Sequence, residues 1–161
     1  MLTIKVESIN VNQIFDDAFT VLTAKVSNVE ISRAGNMGLI QKADRFVVKT
    51  KGTFQGYISA EIEHALLEEI VTGINKGRKL KEAEKILFAM EYLNIICGRA
   101  LSEINNQTGN RSRLTIPHYV TEKSPKEQMD GESETLFYQS AYGLLKITVV
   151  LIMEVKINAE Y

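Results

Sequence analysis

The chain has 161 residues, 45% of them apolar, with 19 Lys and Arg against 20 Asp and Glu for a net charge of −1. That composition suits one globular domain, large enough to bury most of its apolar surface without staples, and the near-neutral balance gives no global electrostatic reason for a nucleic-acid or anionic-membrane partner. Apolar runs do not exceed the five residues of Val149 to Met153, the single Cys97 allows neither an intrachain disulfide nor a cysteine zinc site, and Lys5 and Glu7 fall where a secretory signal needs an apolar core, so a reduced, cytoplasmic protein is expected.

In chain order, Asn10 with Gln13 three residues later resembles a capping box, and Val11, Ile14, Phe15, Ala18, Phe19 and Leu22 recur at helical spacing, predicting a helix over residues 11–23. Residues 26–33 read as strand-like, with Val29 and Ile31 alternating against polar residues, and the Gly35 to Gly38 stretch reads as a turn. Two strands are expected at 45–51 and 53–59, the second containing Gly56, where a bulge or a close backbone approach is expected. Residues 60–72 read as a helix through Ile62, Leu66 and Ile70, closed by Gly73 and Gly77. The longest periodic segment, 81–106, predicts the central helix, with Gly109 as its stop. Residues 114–120 predict a short strand interrupted by Pro117, and residues 121–134 a charged, mobile loop. A terminal hairpin over 135–142 and 144–156, turning at Gly143, completes a single domain spanning 1–161 with its core at about 10–157. Adjacent strands separated by helices, without regular alternation, predict an α+β fold: a largely antiparallel sheet packed by helices.

Several chemistries lack their residues. No phosphate-binding loop is present, and Gly35 with Gly38 is too sparse for a dinucleotide fingerprint. Only His64 and His118 could serve as histidine bases or ligands. Glu61, His64 and Glu68 share a face on the predicted helix, but di-iron bundles need two Glu-x-x-His pairs and further carboxylates, so a solvated acidic face is the expectation. Cys97 falls on an apolar helical face and reads as core, and His118 as structural or exposed.

The long helix carries a second face. At about 100° per residue, Ile86, Ala89, Met90, Leu93, Ile96, Cys97, Ala100 and Ile104 form a core-facing stripe opposite Glu91. Glu84, Asn94, Gly98, Ser102 and Asn105 fall on the Glu91 side, so Glu91 and Asn94 are exposed neighbours one turn apart. Leu87, Phe88 and Ile95 lie close to them on the wheel, an apolar rim that the core does not require and that reads as a docking surface. Gly98, unfavourable in a helix interior, is expected to let another backbone approach.

These residues resemble a known family. The stretch FAMEYLNIICGRALSEINNQTGNRSRLTIPHYV is similar to the CheX-like branch of the CheC/CheX/FliY chemotaxis phosphatases: a Glu-x-x-Asn on a long helix, a small residue a turn later, a polar helix end, then a strand containing Pro. KGTFQGYISAEIEHALLEEIVTGI and LLKITVVLIMEVK fit the glycine-bearing strand and helix before the motif and the final strand after it, while Leu93 stands where the family usually has glycine. The resemblance implies a CheC-like fold and a phosphatase for the phospho-aspartate of a CheY-like response-regulator receiver, in chemotaxis or another two-component pathway. It implies that Glu91 pairs with the receiver's lysine and that Asn94 positions the attacking water. It further implies partner contacts through Leu87, Phe88, Ile95 and Gly98, Mg²⁺ held by the receiver rather than by this chain, and a homodimer formed through the sheets. A catalytically silent adaptor using the same helix at a receiver or flagellar switch is the alternative. A hot-dog-like thioesterase also sets a long helix against an antiparallel sheet, but it would bury Glu91.

Overall fold

The structure is a computed structural model and describes residues 10–36, 40, 42–53, 55–121 and 132–151. The first helix, α1 (Val11–Ser27), starts where Asn10 Oδ1 accepts the Gln13 backbone N–H at 3.0 Å. Gln13 does not complete the box; its side chain donates to Asp17 Oδ1 instead. The helix runs four residues past the predicted end because Asn28 adopts a left-handed conformation (φ 60°) and stops the chain only there. Residues 26 and 27 are therefore helical, and the predicted strand reduces to β1 (Ser32–Ala34).

Strands β2 (Ala43–Lys51) and β3 (Gly56–Glu63) pair antiparallel in register from Ala43 with Glu63 to Lys49 with Tyr57. Residues 60–63, expected to open a helix, belong to β3. Ile58, Ala60 and Ile62 continue one inward-facing alternation, and both neighbouring strands pair along this stretch. Gly56 opens β3 and pairs with Leu151, so it does not interrupt the strand. Helix α2 (His64–Ile74) follows directly.

Helix α3 (Glu82–Thr108) has Glu82 and Glu84 in its first turn, where acidic groups favour the dipole, and Lys81 N–H donates to Glu84 Oε1. It ends at Gly109, whose φ of 73° is the left-handed cap that glycine adopts without strain. Pro117 divides the next predicted strand into β4 (Arg113–Leu114) and β5 (His118–Val120), which pair with different stretches of β2. Most of the expected loop 121–134 lies outside the described residues, as does the final strand beyond residue 151. Glu132 to Glu134 already belong to β6 (Glu132–Gln139), which turns through Ser140 and Gly143 into β7 (Leu144–Leu151).

The described strands make one seven-stranded sheet in the order β1-β6-β7-β3-β2-β4, with β5 also on β2, and every pairing is antiparallel. All three helices pack on one face. Phe46, Val48, Ile58, Ile62, Leu136, Leu145 and Ile147 point from the sheet into Phe15, Phe19, Leu66, Ile70, Leu93 and Ile96 of the helices. The opposite face holds a smaller buried group of Val47, Tyr57 and Val150. The expected α+β architecture is the one observed.

Candidate functional site

Helix α3 lies across the other two helices with one flank in the core and the other in solvent. Ala89, Leu93, Ile96, Cys97, Ala100 and Ile104 are buried as the wheel requires, while Ile86 and Met90 are half-buried against the core. Three further residues of the helix are buried outside the expected stripe, Tyr92, Leu101 and Thr108. Tyr92 stands between Glu91 and Asn94 in sequence but points inward, where its hydroxyl and Thr23 Oγ1 of α1 share a 2.7 Å hydrogen bond. Burial raises its pKa, so the phenol stays neutral. This bond fixes the rotation of α3 against α1 and thereby the direction in which the outer face looks.

On that outer face Glu91 and Asn94 are both exposed, and among the described residues neither makes a hydrogen bond or an ion pair. A carboxylate and a carboxamide without internal commitments stand one helical turn apart. Leu87 is 62% exposed and Ile95 39%, large apolar groups left in water beside them. Phe88 corrects the expectation in part: it is half-buried and packs against the core, because it lies at the border between the stripe and the outer face. Leu93, in the place where the resembling family carries glycine, is 1% exposed and contributes to the core rather than to the surface.

A small open cavity of about 260 Å³ adjoins Asn94, with Gly98, Ser102, Asn105, Arg113 and Leu114 in its wall. A Cβ built on Gly98 would meet only Leu114 Cδ1, at 3.8 Å, an ordinary contact. The chain's own packing would therefore accept alanine there, although glycine in a helix interior is less favourable by about 1 kcal/mol. The space it leaves is open to the outside. Asn105 holds the far wall: its Nδ2 donates to Ser112 O at 2.7 Å and its Oδ1 accepts from Ser112 N at 3.1 Å. That clamp and the place of Arg113 were not legible locally, because they join the end of α3 to a strand whose position is set by pairing with β2.

Other candidates separate. Glu61 lies on β3 and pairs with Lys146 at 3.6 Å, His64 meets Asp44 at 2.8 Å, and Glu68 meets Lys85 at 2.6 Å, so the three do not share a helical face. The shared face failed because Glu61 is a strand residue. Among the described residues no group of three His, Cys, Asp or Glu could hold a metal ion. Cys97 is fully buried, and burial pushes its thiol up to about 12, far from a reactive thiolate at neutral pH. His118 is exposed on β5. A groove of about 470 Å³ runs between α1 and α3 but includes neither Glu91 nor Asn94. Glu91 lies outside both spaces and Asn94 borders only the smaller, open one, so the uncommitted polar pair stands on an open helical face.

Fold and site together define an antiparallel sheet covered on one face by three helices, one of which presents an open polar pair with an apolar rim. The chain belongs to the chemotaxis phosphatase CheX family, whose profile matches residues 46–139. Among solved structures it is similar to the chemotaxis protein CheX from Vibrio vulnificus, at 15% identity and a TM-score of 0.75 over 92% of this chain and 99% of that one. It is similar to the CheX–CheY–BeF3–Mg complex from Borrelia burgdorferi, at 16% identity and a TM-score of 0.69 over 91% and 99% of the two chains. A CheC-like superfamily protein from Shewanella matches at 20% identity and a TM-score of 0.69 over 89% and 99%. At these identities the likeness is one of fold. A search of curated proteins finds no match. The exposure of Glu91 and this fold both weigh against the hot-dog thioesterase reading.

Proposed function

We propose that this chain removes the phosphoryl group from the phospho-aspartate of a CheY-like receiver domain, with α3 as the element that docks. The observation that carries the reading is the pair Glu91 and Asn94, exposed one turn apart and without internal partners on the helix of a CheX-family domain. Leu87, Ile95 and the open flank of Phe88 bury apolar surface against the partner, and Gly98 admits its close approach. Glu91 orients the docked receiver by pairing with its active-site lysine. Asn94 enters the phosphorylated site, where the carboxamide donates to and accepts from one water and holds it in line with phosphorus. Phosphoryl transfer is largely positioning and charge stabilisation, so a helix with two polar side chains suffices if the partner supplies the cation. Mg²⁺ held by the receiver neutralises the phosphoryl oxygens in this reading, and this chain binds no cofactor. The solved CheX–CheY–BeF3–Mg complex supports a receiver domain as the partner by analogy of fold.

The test is the lifetime of phosphate on purified CheY-type receivers with Mg²⁺ present. The wild-type chain shortens it; Asn94→Ala abolishes the acceleration, a loss of at least about 100-fold if the water is no longer placed. Glu91→Ala raises KM. Receivers that bind the chain without faster phosphate loss would favour the silent adaptor, and unchanged decay across all such receivers would sink the phosphatase. A homodimer through the sheets and a cytoplasmic location belong to the same reading, and sedimentation of the purified chain tests the former.

A further inference from the structure

Helix α1 turns a row of four exposed residues to solvent, Gln13, Asp17, Val21 and Lys25, spaced i, i+4 along one flank. Val21 is 62% exposed, and a β-branched residue left in water helps neither the helix nor the core. Asp17 and Lys25 stand one turn to either side of it, and among the described residues neither forms an ion pair. Asp17 Oδ1 accepts from Gln13 Nε2 at 2.8 Å, which holds the carboxylate within the row. Lys25 suits the negative end of the helix dipole, yet its charge meets no carboxylate among the described residues. The same four residues line the groove of about 470 Å³ between α1 and α3, with the small, buried Ala18 and Ala100 at its floor. From α3 come Arg99 and Glu103, again opposite charges at i, i+4 spacing. Asp17 and Glu103 against Lys25 and Arg99 leave the groove without net charge, so a partner of one sign gains nothing there.

We infer that this row is a contact between two copies of the chain, α1 against α1 in antiparallel sense, crossing at Val21. Symmetry makes the row its own complement. On a two-fold axis through Val21, a residue n places after it faces the residue n places before it on the partner copy. Val21 therefore meets the partner's Val21, Asp17 meets the partner's Lys25, and Lys25 meets the partner's Asp17. Packed helices most often cross at about 50°, with the i, i+4 rows of the two running along each other, which is the arrangement this pairing needs. The groove beside the row receives the flank of the partner helix, and the alanines at its floor leave it room. Each copy buries an apolar residue that the single chain leaves in water, and two ion pairs enclose that contact. Glu91, Asn94 and the sheet take no part in it, so it stands apart from the phosphatase reading and from a homodimer through the sheets.

The experiment is oxidative cross-linking and sedimentation of the full chain. Val21→Cys should link two copies, since the two-fold axis brings their Cα atoms within the roughly 4.4–6.8 Å that a disulfide spans. Leu87→Cys, equally exposed but on α3, should stay unlinked. Asp17→Lys and Lys25→Asp each set two like-charge pairs across the axis and should raise the self-association Kd at least about tenfold at low salt, with the gap closing as salt rises. The double exchange Asp17→Lys with Lys25→Asp should restore association, and so should an equimolar mixture of the two single variants. Matching thermal melts show that the variants fold. Equal linking through residues 21 and 87, or reversals that leave Kd within twofold of wild type, overturn the contact. A chain that pairs only through its sheets leaves Val21→Cys unlinked and overturns it as well. Failure of these tests in a chain that accelerates phosphate loss removes the α1 contact alone, and their success in a chain without that activity removes the phosphatase alone.

Discussion

Within one turn of α3, sequence neighbours have opposite fates. Glu91 and Asn94 face solvent, while Tyr92 and Leu93 between them and Cys97 just beyond are buried. Proximity to the motif in sequence therefore says nothing about participation, and Cys97 illustrates it. Its thiol is held in the neutral form by burial, with a pKa pushed up to about 12 from an ordinary 9.0. A group whose folded pKa is raised contributes stability that is complete below the unfolded pKa and is lost as pH climbs toward the folded one. The stability lent by Cys97 should thus be intact at pH 8 and decline between about 9 and about 12, by at most about 1.4 kcal/mol per pH unit. Urea midpoints for wild type and Cys97→Ala at pH 8 and pH 10.5 check this: wild type should lose more of its stability over that interval than the variant does.

At the scale of elements, two glycines in helices carry opposite meanings. Gly73 lies in the last turn of α2, where a Cβ would meet Ser27 O at the end of α1 and overlap it; the contact is far inside van der Waals range and involves backbone on the other side. It is therefore the point at which α1 and α2 touch backbone to backbone, and its role is close packing rather than the helix stop expected of it. Gly77, with φ 84°, follows the helix in the left-handed conformation. Gly73→Ala should destabilise the domain by at least about 2 kcal/mol, since neither backbone can yield cheaply. Gly98→Ala, which meets only a side-chain methyl, should leave stability unchanged or raise it by up to about 1 kcal/mol. Urea denaturation of the two variants side by side distinguishes a glycine required by the fold from one that the fold merely tolerates.

For the molecule as a whole, no helix among the described residues is long and apolar enough to cross a membrane, and no cluster among them could hold a metal. If the cation of the reaction resides on the receiver, chelation should separate two properties that a metalloenzyme would lose together. EDTA should stop accelerated phosphate loss while leaving the Tm of this chain unchanged within a degree, as read by calorimetry of the chain alone. A fall in Tm would place a structural metal in this chain instead. The same architecture gives the proposed docking face its room: three helices packed on one face of the sheet leave α3 with an open flank.

What the amino-acid sequence determined by itself was whatever repeats over a few residues. The 3.6-residue periodicity of α3, its acidic first turn, its stop at Gly109 and the one-turn spacing of Glu91 and Asn94 are local, and the structure keeps each of them. The Asn10 cap and the turn at Gly143 are local in the same sense. Tertiary structure decided what depends on distant partners. Residues 60–63 suit a strand or a helix equally until β2 and β7 pair with them on both sides. Phe88 is shared between rim and core because other elements approach α3 on that side, and Tyr92 turns inward to meet Thr23 of α1. Arg113 comes into the wall of the cavity beside Asn94 only through the pairing of β4 with β2. Periodicity carries the direction in which a side chain leaves its own helix or strand; which chain segment it then meets is fixed by long-range pairing and packing, and that information is not written in any short window of sequence.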